Sequence, residues 1–164
     1  MTDVVVDLRN ERNILTVFSD TSLCHETGAA GYGVWMRDSQ PGKLYGGTYD
    51  QKIISSNMGE FLAVLRALIH AEEDDLLSRV HYVVFVCDNQ RVVDLLNGSN
   101  TAVDWERKAL LELRQILGKY KLDWKANKVK AHSGTGKPRT WVNDQCDKMA
   151  RKHMLEQRQQ LRGK

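Results

Sequence analysis

The chain of 164 residues contains no apolar run approaching the roughly 20 residues that cross a bilayer, which argues against a membrane-spanning helix. Met1 to Arg12 alternates Val with Asp and Arg and offers no signal-peptide apolar core. The expectation is an intracellular protein, cytoplasmic by default. Cysteine is scarce: Cys24, Cys87 and Cys146 are odd in number and widely spaced, with no Cys-x-x-Cys pair. That excludes a disulfide framework and a structural zinc site of the usual spacing, and predicts reduced thiols, at least two of them buried. Internal repeats, low-complexity segments and linkers are also missing. The length and the ordinary aliphatic, aromatic and charged fractions fit one domain with a sizeable core.

What is present is an uneven distribution of charge. Residues 1–100 hold 8 Lys/Arg against 14 Asp/Glu, a balance of −6, and residues 101–164 hold 16 against 7, a balance of +9, which together make the net +3. A basic half beside an acidic pocket is expected of a protein that grips a polyanion and acts on it with metal ions. Arg158 to Lys164 reads more simply as a solvated tail.

The chain is organised around Ile14-Leu15-Thr16-Val17-Phe18-Ser19-Asp20, whose alternation occupies both faces of an inner strand and stops on a carboxylate. Asp20 therefore stands at a carboxyl strand end, where open α/β sheets place their ligands. Gly31–Arg37 and Leu44–Tyr49 read as second and third strands of an antiparallel meander, because the turns between them are too short for crossovers. From Asn57 to Ala71, Met58, Phe61, Leu62, Leu65, Leu68 and Ile69 recur at three and four, the stripe of an amphipathic helix. Val80–Cys87 is a nearly continuous apolar strand ending on Asp88. Gln90–Leu96 and Trp105–Leu117 read as helices, Leu122–Ala131 as a Lys-rich strand, and Val142–Leu155 as a final helix. The order β-β-β-α-β-α-α-β-α predicts an α/β protein with a five-stranded mixed sheet, three antiparallel then parallel strands, flanked by helices. The expected division is an amino-terminal extension over 1–12, a catalytic domain over 13–156 and a basic tail over 157–164.

Asp20, Glu60, Asp88 and Asp147 stand out by position, yet each has an ordinary reading. Glu60 fits a capping box with Asn57, Asp88 fits the N-cap of the following helix, and Asp147 fits a water-facing position. Against these, strand ends and helix starts at one sheet edge converge, and four converging carboxylates do not stay ionised without cations. Hard divalent cations take oxygen ligands, so Mg²⁺, or Mn²⁺, is the expected occupant.

Four segments carry a family resemblance: Thr16-Val17-Phe18-Ser19-Asp20-Thr21-Ser22 with Gly31-Tyr32-Gly33, Ser56-Asn57-Met58-Gly59-Glu60-Phe61-Leu62-Ala63, Val86-Cys87-Asp88-Asn89-Gln90, and Val129-Lys130-Ala131-His132-Ser133-Gly134 through Asn143-Asp144-Gln145-Cys146-Asp147-Lys148-Met149-Ala150. In order and spacing, from about Asn13 to His153, the sequence resembles the type 1 ribonucleases H. The resemblance implies the ribonuclease H-like fold and an endonuclease that hydrolyses the RNA strand of RNA–DNA hybrids with two Mg²⁺ ions, leaving 5′-phosphate and 3′-hydroxyl ends. It implies Asp20, Glu60, Asp88 and Asp147 as metal ligands and His132 as the group that assists proton transfer or product release. It further implies Thr21, Ser56, Asn57, Gln90 and Asn143 as substrate contacts, an RNA–DNA hybrid as partner, and a monomer without membrane association. Asp144, read in the first turn of the last helix, is assigned to the helix dipole or to a nearby lysine. Three features depart from the family pattern: Thr21 stands where glycine is usual, the loop over 133–142 is long, and no room exists between Leu96 and Trp105 for the basic helical protrusion of some members. Two other readings share parts of this pattern, a DNA nuclease of the same superfold and a non-catalytic hybrid-binding module.

Overall fold

The computed structural model describes residues 13–98, 101–129 and 138–163, so the expected extension over 1–12 lies outside the described residues. The chain runs β1 (Ile14–Leu23), β2 (Ala30–Arg37), β3 (Lys43–Thr48), α1 (Ser56–Glu73), a short 3₁₀ turn (Leu77–Arg79), β4 (Tyr82–Cys87), α2 (Gln90–Leu96), α3 (Asp104–Lys119), β5 (Asp123–Lys128) and α4 (Pro138–Arg162). The sheet order is β3-β2-β1-β4-β5, with β1–β2 and β2–β3 antiparallel and β1–β4 and β4–β5 parallel. This is the five-stranded mixed sheet that the residues predicted, and the strand order fits the ribonuclease H-like fold that the resemblance implied.

β1 is central because both of its faces are apolar. Leu15 and Val17 are fully buried in the main core with Phe61, Val64, Leu68 and Leu113. Phe18 points the other way, into a second cluster with Val86 and Cys146, edged by Trp35 and Val142. α1 and α3 therefore cover one face and α4 the other. On the first face Phe61 meets Trp105 edge-on, with ring centroids 6.3 Å apart, the T-shaped geometry that aromatic quadrupoles favour.

Several predicted boundaries shift by a few residues, β4 opening at Tyr82 and β5 closing at Lys128 among them, and three shifts change a reading. α1 begins at Ser56 because the Ser55 side chain accepts from Met58 N, so Ser55, not Asn57, is the N-cap. Glu60 is consequently beyond the first turn and free of any capping duty. α4 is longer than Val142–Leu155 at both ends. It opens on Pro138, a residue type that suits a first helical position, so residues 138–142 of the expected loop are helix. Asp144 is thus well inside the helix, and the first turn holds no acidic residue, so the assignment of Asp144 to the helix dipole does not hold. At the other end α4 continues to Arg162. Much of the segment expected as a solvated tail is therefore helical, and Gln157 Oε1 accepts from Ala30 N at 2.8 Å.

The starts of α2 and α3 are held to each other. Arg91 grips Glu106 with Nε–Oε2 3.0 Å and Nη2–Oε1 2.7 Å, and Glu106 Oε1 also accepts from Val103 N at the start of α3. A two-pronged Arg–carboxylate contact fixes orientation as well as distance, and it ties the two helix starts together.

Candidate active site

The parallel register of β1 and β4 sets Phe18 opposite Val86. Two residues further along the chain from each come Asp20 and Asp88, so pairing alone brings these carboxylates to one edge. α1 crosses the same edge and presents Glu60, which is buried. Carboxylate oxygens of Asp20, Glu60 and Asp88 all lie within 4.8 Å of one another.

The electrostatics of this trio are unfavourable without a counter-charge. Burial, followed by the charge of Asp88, pushes the Asp20 carboxyl from its ordinary 3.8 up to about 6, despite the hydrogen bond it accepts from Thr21 N at 2.8 Å. Burial and then the charges of Asp20 and Asp88 hold Glu60 well above the usual carboxylate range. Glu60 Oε2 is buried with no hydrogen-bond partner, the one such side-chain atom among the described residues. A buried acceptor left unpaired is costly, and hard oxygen donors converging on one point suit a divalent cation. The residues present therefore fit such an ion.

Asp147 approaches from α4 because the backbone of that helix lies directly on β2. Gly33 pairs with Asp20, and a Cβ at Gly33 would overlap the Cys146 carbonyl. Glycine at that position is what lets Asp147 stand close enough for its charge to contribute to the raised Asp20. Asp147 remains outside the tight trio, with its side chain 45% exposed and paired to Arg151 at 3.2 Å. Asp144 is exposed.

The ordinary readings of the acidic residues fail in two cases of three. Asn89, not Asp88, caps α2, its side chain accepting from Val92 N at 3.0 Å. Glu60 is no cap, since Ser55 holds that place, whereas Asp147 does face water in part. Of the expected substrate contacts, Ser56, Asn57 and Gln90 stand at the starts of α1 and α2, with Asn57 and Gln90 exposed, and Asn143 is half-buried on α4. Thr21 is engaged internally: its Oγ1 donates to the Tyr49 hydroxyl at 2.6 Å, with the Gly31 carbonyl, 3.1 Å away, as the alternative acceptor. Tyr49 in turn donates to the Gly59 carbonyl at 2.9 Å. Gly59 leaves the space that Thr21 fills, since a Cβ there would sit 2.8 Å from Thr21 Oγ1. The Tyr49 hydroxyl thereby spans the neighbours in sequence of both Asp20 and Glu60. Sequence reasoning passed over Tyr49 and Asn89; for Asn89 the signal was available, a capping residue type immediately before Gln90. His132 lies outside the described residues. Cys87 and Cys146 flank the trio as buried thiols, each pushed up to about 12 mainly by burial, while Cys24 is half-buried.

The family model for RNase H matches residues 12–154. The chain belongs to the RNase H family. No curated protein matches the sequence. Among solved structures, this RNase H is similar to RNase H1 from the halophilic archaeon Halobacterium salinarum NRC-1, with 19% identity, TM-score 0.67, and coverage of 87% of this chain and 98% of that one. LC11-RNase H1 in complex with an RNA/DNA hybrid aligns at 14% identity and TM-score 0.69 over 87% of this chain and 97% of that one. The N-terminal RNase H domain of rv2228c from Mycobacterium tuberculosis, solved as a fusion with maltose binding protein, aligns at 14% identity and TM-score 0.65, covering 90% of this chain and 97% of that one. The chain is accordingly a ribonuclease H, a hydrolase of nucleic acid, and its carboxylate cluster is compatible with divalent metal. Among the described residues no helix is long and apolar enough to cross a membrane.

Proposed function

We propose that this ribonuclease H cuts the RNA strand of RNA–DNA hybrids internally, by a two-metal-ion mechanism with Mg²⁺, and leaves 5′-phosphate and 3′-hydroxyl ends. The observation that carries the reading is the trio of Asp20, Glu60 and Asp88 with its unpartnered buried oxygen, in a chain of this family. When bound, divalent ions supply activation of the attacking water and stabilisation of the leaving 3′-oxygen. The residues that would hold them are Asp20, Glu60, Asp88 and Asp147.

The chain's own groups have distinct tasks in this reading. Thr21 and Tyr49 hold the segments that carry Asp20 and Glu60 at a fixed approach, so the carboxylates are in place before the ions arrive. Ser56, Asn57, Gln90 and Asn143 contact the RNA, whose 2′-hydroxyls distinguish it from DNA. His132 moves a proton at the leaving group or assists release. LC11-RNase H1 was solved with an RNA/DNA hybrid, and the same partner is proposed here. Lys125 and Lys128, exposed on the edge strand β5, supply sequence-independent attraction for its phosphates.

The test is a comparison of length-matched RNA–DNA, DNA–DNA and four-way-junction substrates, each with Mg²⁺ and with chelator. Cleavage confined to the RNA strand of the hybrid is the expected result. Cleavage of DNA, or hybrid binding with no cleavage at all, would transfer the chain to one of the two other readings.

A further inference from the structure

Asn57 and Asn89 face each other across the starts of α1 and α2, with Asn89 Nδ2 donating to Asn57 Oδ1 at 2.8 Å. The polarity of this contact follows from the cap. Val92 N–H can only donate, so the Asn89 atom 3.0 Å from it must be the carbonyl oxygen. Asn89 then turns its NH₂ toward Asn57, which can only answer with its own carbonyl oxygen. The Asn57 NH₂ is left outward, exposed, and without a hydrogen-bond partner among the described residues.

We infer that Asn89 is a positioning residue that fixes the Asn57 amide as a hydrogen-bond donor toward the RNA strand. A free asparagine amide turns over at little cost and offers a donor or an acceptor equally. Locked this way, Asn57 selects an acceptor, such as the 2′-oxygen of a ribose beside the cut, and finds none at that place on a deoxyribose. The helix cap thus sets the sign of a substrate contact from one residue away. This rests on the hybrid reading above, and it adds a residue that reaches no substrate atom itself.

The experiment measures hybrid binding by fluorescence anisotropy in the catalytically inert Asp20→Asn background, in parallel with cleavage by chains that keep Asp20. The probes are hybrids that each carry a single 2′-deoxynucleotide at successive RNA positions. With Asn89 intact, one position should cost about fivefold in Kd, the scale of one net hydrogen bond. Asn89→Ser keeps a capping oxygen but cannot reach Asn57, and should weaken binding to the all-RNA strand about fivefold while erasing the penalty at that position, again the scale of one hydrogen bond. Asn89→Asp keeps the cap yet offers Asn57 only acceptors, which turns the Asn57 carbonyl outward and should give the same position-specific loss. Asn57→Ala should make Asn89→Ser silent. For the cleavage reaction, Asn89→Ser should raise KM with kcat changing far less. A position-specific penalty that survives Asn89→Ser, or additive effects of Asn57→Ala and Asn89→Ser, overturns the assignment and leaves Asn89 a helix cap alone. Failure of the unaltered chain to cleave any hybrid counts against the hydrolase reading, whereas the binding pattern still decides the role of Asn89.

Discussion

Replacing Asp20 by asparagine should stabilise the metal-free protein while abolishing its activity. The Asp20 carboxyl is raised from 3.8 to about 6, first by burial and then by Asp88, so keeping it ionised at pH 8 costs about 3 kcal/mol at 1.36 kcal/mol per pH unit. A folded-state value above the unfolded one means the proton stabilises the fold: the cost is absent below about pH 4 and complete above about pH 6. The Asp20→Asn side chain keeps the shape and an oxygen for Thr21 N, and the raised value already contains the stronger hydrogen bond that the charged oxygen accepts, so nothing further is subtracted for it. The gain is about 3 kcal/mol, which for a chain of this size raises Tm by roughly 6–12 °C. Melting curves of both proteins in chelator at pH 8 and at pH 4 measure it. The variant should melt higher at pH 8, the gap should close at pH 4, and excess Mg²⁺ should raise the Tm of the unaltered chain far more than that of the variant. A variant that melts equally or lower at pH 8 in chelator would refute the claim that the site is strained for cations.

Asp147→Asn should cut hybrid cleavage by orders of magnitude and weaken its Mg²⁺ dependence, whereas the exposed Asp144→Asn should keep most of the activity; steady-state rates across an Mg²⁺ titration separate them. His132→Ala should slow turnover by about 10²-fold and leave residual activity, measured as kcat at saturating hybrid. Gly33→Ala should lower stability by about 1–3 kcal/mol, because the added methyl meets the Cys146 backbone, and should shift the Mg²⁺ midpoint of cleavage upward as Asp147 is displaced from Asp20.

The fold was legible where periodicity is strong. Leu15, Val17 and Phe18 declared a strand buried on both faces, and the spacing from Met58 to Ile69 declared α1; the burial of each agrees. Helix ends were less legible because their signals are local and weak. The stretch from Gln157 to Arg162 is polar and reads as a tail, yet Gln157 is tied to Ala30, a contact between distant parts of the chain that no local pattern reveals. Glu60 was ambiguous for a similar reason: a carboxylate three residues after Asn57 satisfies a capping pattern, and only the approach of β1 and β4 makes it part of a trio. Thr21, which the family resemblance puts at the substrate, has its side chain held beside the Tyr49 hydroxyl and in the gap above Gly59, contacts between distant residues that no local pattern reveals. Asp147 could be singled out from Asp144 only by motif spacing, since both lie on one helix near the same face.

The most direct test of the central claim is the chemistry of the cut. A uniformly paired RNA–DNA hybrid is cleaved once per enzyme in oxygen-18-labelled water with Mg²⁺, and the fragments are weighed by mass spectrometry. Hydrolysis by an activated water predicts a 3′-hydroxyl on one RNA fragment, one labelled oxygen in the 5′-phosphate of the other, and an intact DNA strand. A 2′,3′-cyclic phosphate would mean that the neighbouring 2′-hydroxyl, not water, was the nucleophile, and would contradict the account.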